Sequence, residues 1–198
     1  MINIAVLVSG GGTNLQALID AQGKVLKHGK IKLVISSKPN VYALQRAKQA
    51  SIDHCVIAKR DYETQEEFSN AILQQLQSYQ IDMIVLAGYL SILDGTIIRA
   101  YPNRIINIHP SLIPSFCGKG YYGLKVHEAA LHYGVKVTGA TVHLVNEIPD
   151  GGKILLQKAV DILPYDTPET LQQRVMEEAE WILLPQATEM IAKEIEGK

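Results

Sequence analysis

Residues 2–21 read INIAVLVSGGGTNLQALIDA, and the fold turns on how this stretch is parsed. Ile2 to Val8 is an apolar, β-branched run with no polar alternation, which is the pattern of a strand buried on both faces. Three glycines follow Ser9. Then Thr13 or Asn14 offers a helix cap, and Leu15, Leu18, Ile19, Val25 and Leu26 recur at helical spacing, predicting a helix over 13–28. Strand, glycine loop and helix in that order form the opening unit of an open α/β sheet.

The same rhythm continues outward. IKLVISS (31–37), HCVIA (54–58), DMIVLAG (82–88) and RIINIH (104–109) read as further buried strands. Between them, helices are predicted over 40–50, about 63–79 and around 91–101. Beyond residue 110 the character changes. A Gly/Ser/Tyr-rich loop (111–123) leads to a helix, GLKVHEAALHYG, and then TGATVHLV (138–145) and KILLQKAV (153–160) flank the turn NEIPDGG. That pair predicts an antiparallel hairpin. A long helix closes the chain, capped by Thr167 with Glu169 in its first turn. The expectation is a single α/β domain over 1–198, Rossmann-like, with a mostly parallel sheet, helices on both faces, a C-terminal antiparallel hairpin and a long last helix.

Composition narrows the function. The 198 residues are 47% hydrophobic and 20% charged with a formal net charge of −1, so no broad nucleic-acid or membrane surface is expected. No run approaches the ~18 apolar residues of a membrane span. The N-terminus lacks the basic region of a signal peptide, which makes the cytoplasm the expected compartment. Cys55 and Cys117 do not make a disulfide scaffold; Cys55 reads as core, and Cys117 has no activating arrangement in its loop.

Ligands of open α/β sheets bind beyond the carboxyl ends of the strands. Three unusual sequences fall there: SGGGTN, AGYL and NIHPS. The first permits close backbone approach and aims helix N–H groups at an anion, so it reads either as a phosphate loop or as a tight turn serving the fold. It is not a P-loop. Leu15 stands where a dinucleotide fingerprint needs its third glycine, and no acid follows the second strand. Asn107 and His109 point to one side of an extended strand end, which Pro110 stops. An imidazole there could relay a proton and an amide could donate to an oxyanion, with Asp150 in IPDGG as the partner that orients the ring. Spacing alone leaves that pair open between structure and chemistry. His127 and His132 do not share a helix face, His143 alternates within a strand, and no cluster has metal-ligand spacing, so no metal is expected.

In this order, SGGGTN, LAGYL, NIHPSLIPSF, HEAALHYGVKVTGATVHLV and DGG resemble the folate-dependent formyltransferase family over essentially the whole chain. The resemblance implies transfer of a formyl group from 10-formyltetrahydrofolate to the amine of glycinamide ribonucleotide, a step of purine synthesis. It implies Asn107, His109 and Asp150 as the catalytic trio, with Asp150 raising the pKa of a protonated His109. Gly11, Gly12, Thr13 and Asn14 would hold the substrate phosphate, and Glu180 would contact the ribonucleotide. Leu86, Gly88, Tyr89, Leu90, Ser91, Ile92 and Leu93, with Asn107, Val145 and backbone of 143–150, would receive the folate. Residues 1–110 would then be the ribonucleotide half and 111–198 the folate-site half. The implied partners are these small molecules, with no nucleic acid and no membrane, in a monomer or homodimer. Members acting on tRNA add a C-terminal domain and hydrolytic members an N-terminal one, and neither is expected here.

Four departures stand out. ETQEEF stands near residue 65, where many members of the family have a basic residue, and Lys119 could supply the missing charge. The loop SFCGKGYYG is longer than the usual form and reads as a flap over 115–120. Lys153 replaces a proline after DGG. One extra residue lies between Arg174 and Pro185.

Overall fold

Along Ile2–Val8 (β1), Ile4, Val6 and Val8 pack on one face of the sheet and Ala5 and Leu7 on the other, as the twofold repeat of a strand requires. All five are fully buried, which is why the sequence shows no alternation. The computed structural model describes residues 1–197; Lys198, the last residue of the predicted C-terminal helix, lies outside them. After β1 come α1 (Thr13–Ala21), β2 (Gly29–Ser36), α2 (Tyr42–Gln49), β3 (Asp53–Val56), α3 (Gln65–Ser78), β4 (Met83–Leu86), α4 (Gly95–Ala100) and β5 (Ile105–His109). The second half adds α5 (Leu124–Tyr133), β6 (Val137–Leu144), β7 (Ile154–Asp161), α6 (Pro168–Val175) and α7 (Trp181–Glu196).

One seven-stranded sheet results, in the order β3-β2-β1-β4-β5-β6-β7. The first five strands are parallel, and β6 and β7 are antiparallel neighbours, as the sequence predicts. From β1 the chain winds outward through β2 and β3, then returns to β4 and winds the other way. The switch point is therefore the gap between the carboxyl ends of β1 and β4. Leu15 and Leu18 of α1, Ala43 and Ala47 of α2, and Leu184, Ala187 and Ile191 of α7 cover one face. Phe68, Ile72 and Leu76 of α3 and Ile97 of α4 cover the other. Among the described residues no helix is long and apolar enough to cross a membrane.

Three helices differ from expectation. The first stops at Ala21, because Gly23 turns the chain with a φ of 75° and Gln22 pairs with Leu26 in an isolated bridge; Val25 is left exposed. Its cap is Gly12, left-handed at φ 74° and without a side-chain hydrogen bond, rather than Thr13 or Asn14. The helix around 91–101 is confined to Gly95–Ala100, where Asp94 caps it through Thr96 and Ile97 N–H. The last helix is two helices: Thr167 and Thr170 close a capping box at the start of α6, and a π-helical turn at Met176–Glu180 separates α6 from α7. A π turn holds one residue more per turn than a regular α-helix, and it falls in the segment before Pro185.

Candidate active site

Two loops flank the switch point, and each is tied down from behind. After β1, the Ala43 N–H donates to Gly10 O at 3.2 Å and Arg46 Nε donates to Gly11 O at 2.9 Å. Gly12 is pressed against α2 so closely that a Cβ would lie 2.7 Å from Ala43 Cβ, and its positive φ also calls for glycine. After β4, the Leu90 N–H donates to Ser9 Oγ at 2.8 Å, and Ser9 Oγ lies 2.6 Å from Ser37 Oγ. One buried hydroxyl at the end of β1 thus anchors the loop after β4.

β5 brings Asn107 and His109 to the same crevice. Antiparallel pairing then sets His143 of β6 directly across from Asn107. Asn107 Nδ2 lies 3.2 Å from His143 Nε2 and 3.4 Å from Asp150 Oδ1. His109 Nδ1 is 3.6 Å from Asp150 Oδ2, and His143 Nε2 is 3.5 Å from Asp150 Oδ1. His143 Nδ1 is 2.8 Å from Leu144 O, an acceptor only, so Nδ1 carries the hydrogen. Asp150 reaches this cluster from a turn that glycine makes possible: at Gly152 a Cβ would sit 1.6 Å from Leu144 O. Asp150 itself is left-handed at φ 55°, a conformation short polar side chains tolerate.

The predicted trio therefore converges, with His143 as a fourth member that sequence reading set aside. The signal lay in the β5–β6 register, which is legible only once β6 is paired with β5.

Electrostatics correct one expectation. Burial pushes the His109 imidazole below its ordinary value, and His143 adds to this; Asp150 and the Phe116 carbonyl pull it up without winning. His109 is thus neutral at rest rather than protonated. Burial works to raise the Asp150 carboxyl, but His143, His109 and the Gly118 N–H beside it prevail and hold it below the usual carboxylate value. Asp150 is a carboxylate.

The loop expected as a flap over 115–120 is pinned to these groups. His109 Nε2 donates to Phe116 O at 2.8 Å and the Gly118 N–H donates to Asp150 Oδ2 at 2.8 Å. Ser111 Oγ holds Ser115 O at 2.6 Å, and the Phe116 ring packs edge-on against Tyr121 and Tyr133. Cys117 Sγ donates to Pro114 O, and burial and Asp150 both raise its thiol, so it is no activated nucleophile. Lys119 is exposed. The cation that the structure sets against the glycine loop is Arg46.

Beside the cluster, a cavity of about 140 Å³ is lined by Leu86, Tyr89, Ser91, Ile92, Leu93, Asn107, His143, Val145 and residues 146–150. Of the expected folate residues, Gly88 and Leu90 do not line it; Leu90 is half exposed. Burial pushes the Tyr89 hydroxyl up to about 12, against the effect of Ser91, so it stays protonated. On the opposite side, Asn14 Nδ2 donates to Glu180 Oε2 at 2.6 Å. Glu180, on the π turn, is buried, and burial raises its carboxyl despite Asn14. Among the described residues no group of three or more His, Cys, Asp or Glu side chains forms a metal-binding set.

An amide, two imidazoles and a carboxylate lie between a glycine loop and a narrow, mostly apolar cavity, an arrangement able to move a proton and to stabilise an oxyanion. Comparison with known proteins makes this specific: residues 2–188 match the family described as formyl transferase, and the chain belongs to that family. It is 44% identical over 178 residues to the phosphoribosylglycinamide formyltransferase of Haemophilus influenzae, covering 90% of this chain and 82% of that one. It is 41% identical to the trifunctional purine biosynthetic protein adenosine-3 of Gallus gallus, where the match covers 96% of this chain. The chain spans between 14% and 18% of the length of that protein and its Drosophila melanogaster and human counterparts. Among solved structures, glycinamide ribonucleotide transformylase 1 from Symbiobacterium toebii superposes with a TM-score of 0.91 at 41% identity, covering 98% of this chain and 89% of that one.

Proposed function

We propose that this protein transfers the formyl group of 10-formyltetrahydrofolate to the primary amine of glycinamide ribonucleotide, giving the formylated ribonucleotide and tetrahydrofolate. The observation that carries the reading is the Asn107–His109–His143–Asp150 cluster, set between the glycine loop and the 140 Å³ cavity. Gly11, Gly12, Thr13 and Asn14 take the phosphate, Glu180 contacts the ribonucleotide, and the cavity from Leu86 to Leu93 with Val145 takes the pterin. Residues 1–110 then serve mainly the ribonucleotide and 111–198 supply the remaining folate wall.

The amine attacks the formyl carbon, and negative charge develops on the formyl oxygen. His109 Nε2–H and the Asn107 amide are the donors available to it. A neutral His109 can also take a proton, which a protonated ring cannot. As the attacking nitrogen loses its proton, Nδ1 can hold it beside Asp150 Oδ2, 3.6 Å away, whose negative charge stabilises the imidazolium that forms. The proton then passes to folate N10, the C–N10 bond breaks and tetrahydrofolate leaves. The reactants are small molecules that must be bound together, which the two adjoining subsites permit.

The test is turnover. Incubation with both substrates should release tetrahydrofolate, with formylated ribonucleotide in equal amount. Binding of both substrates without release would refute the assignment.

A further inference from the structure

We infer that Arg46 is a positioning residue for the phosphate-bearing substrate: by drawing the Gly11 carbonyl toward α2, it turns the Gly12 N–H outward as a phosphate donor. The inference rests on the proposed function for the phosphate's place at this loop.

Among the described residues the only cis peptide is Ile113–Pro114, so the Gly10–Gly11 and Gly11–Gly12 peptides are trans. In a trans peptide the N–H points opposite to the C=O. The Gly10 carbonyl faces α2 because the Ala43 N–H binds it at 3.2 Å, which directs the Gly11 N–H away from α2. The Gly11 carbonyl faces α2 because Arg46 Nε binds it at 2.9 Å, which directs the Gly12 N–H the same way. Two successive amide dipoles are thereby aligned outward. Together with the uncapped start of α1 they form an anion-binding concavity.

Arg46 is itself fixed for this task. Its Nη1 donates to Gln16 Oε1 at 3.0 Å, and its guanidinium lies 4.8 Å from the Tyr42 ring centroid. A charged donor on the Gly11 carbonyl also polarises that peptide and strengthens its N–H as a donor. Holding the loop in place does not need Arg46, because the Ala43 bond and the Gly12–Ala43 contact already do so. Arg46 is only half buried on the helix surface, so its loss should cost orientation rather than fold.

The experiment compares the parent protein with Arg46→Ala and Arg46→Lys, using D-ribose 5-phosphate as the probe in calorimetry and steady-state kinetics with both substrates. Arg46→Ala should weaken ribose 5-phosphate binding at least tenfold and raise the ribonucleotide KM to match. Its kcat and formyl-folate KM should stay within twofold, with the thermal midpoint little changed. Arg46→Lys, which keeps one donor for Gly11 O, should recover most of the loss. Unaltered ribose 5-phosphate binding by Arg46→Ala overturns the inference, and so does a fall in kcat at constant KM. A parent protein that fails to bind ribose 5-phosphate overturns the phosphate assignment itself, which is a distinguishable failure.

Discussion

His109 Nε2 donates its hydrogen to the carbonyl oxygen of Phe116 at 2.8 Å. A carbonyl oxygen is the same kind of acceptor that a formyl group presents, so the ring is already oriented by a surrogate of the group it is proposed to act on. Productive binding must exchange one acceptor for the other.

This exchange makes the trio separable from substrate binding. Asn107→Ala, His109→Ala and Asp150→Ala should each lower kcat by about 100-fold or more, the low end for general acid–base and oxyanion effects. The dissociation constant for the ribonucleotide should move little. A loss of tenfold or less in single-turnover rates would show that other groups carry the chemistry.

The pH profile of kcat should carry the mark of a depressed imidazole. His109 lies below its ordinary value and must be neutral to take a proton, so activity falls only as pH drops below about 6.5. Asp150 is among the groups pulling His109 up. Asp150→Asn should therefore move the acid limb to lower pH while lowering the plateau. A limb moving to higher pH in that variant would contradict the charge assignment.

His143 positions Asn107 through the 3.2 Å contact. His143→Ala should lower kcat by roughly tenfold, the order of one hydrogen bond's worth of orientation. Double substitution with Asn107→Ala should cost little more than Asn107→Ala alone, because the two act as a unit. Fully multiplicative losses would argue for independent roles.

Ser9 should govern one substrate and not the other. It holds the Leu90 N–H at 2.8 Å and therefore the loop along the proposed pterin cavity. Ser9→Ala should raise the formyl-folate KM several-fold and leave the ribonucleotide KM unchanged. Equal shifts in both constants would point to a general loss of order at the switch point.

His127 should tie stability to pH. Its ring is fully buried, neither nitrogen has a partner, and burial, aided by His109, pushes its pKa down to about 4. The folded value is below the unfolded one, so below about pH 6.5 the unfolded chain binds a proton that the folded chain refuses. Stability should fall between pH 6.5 and 4, by up to about 3 kcal/mol from this group. Denaturant midpoints at pH 7.5 and 5 should show this, and His127→Leu should flatten the difference.

Local signals explain most of what the sequence made legible. Unalternating runs such as Ile2–Val8 and Ile105–His109 announce strands covered on both faces, and glycines at strand ends announce the crevice. The family motifs then picked out Asn107, His109 and Asp150. What stayed hidden depends on distant packing. Burial, which no motif encodes, reverses the expected shift of His109. His143 needed the β5–β6 register, and Arg46 needed α2 docked behind the glycine loop. Helix 13–28 looked continuous because Val25 and Leu26 keep the period, yet Gly23 ends it.

The π turn at Met176–Glu180 is a place where a helix can take up a change in length. A residue added to a regular helix would rotate everything on one side by about 100° relative to the other. Taken up in one wide turn, a surplus residue leaves Leu171 and Val175 upstream, and Leu184, Ala187 and Ile191 downstream, all facing the same core. Glu180 sits at the seam, bonded to Asn14. The phase error is thus discharged beside the crevice rather than passed into the scaffold, and the rim of the crevice can change while the core behind it does not.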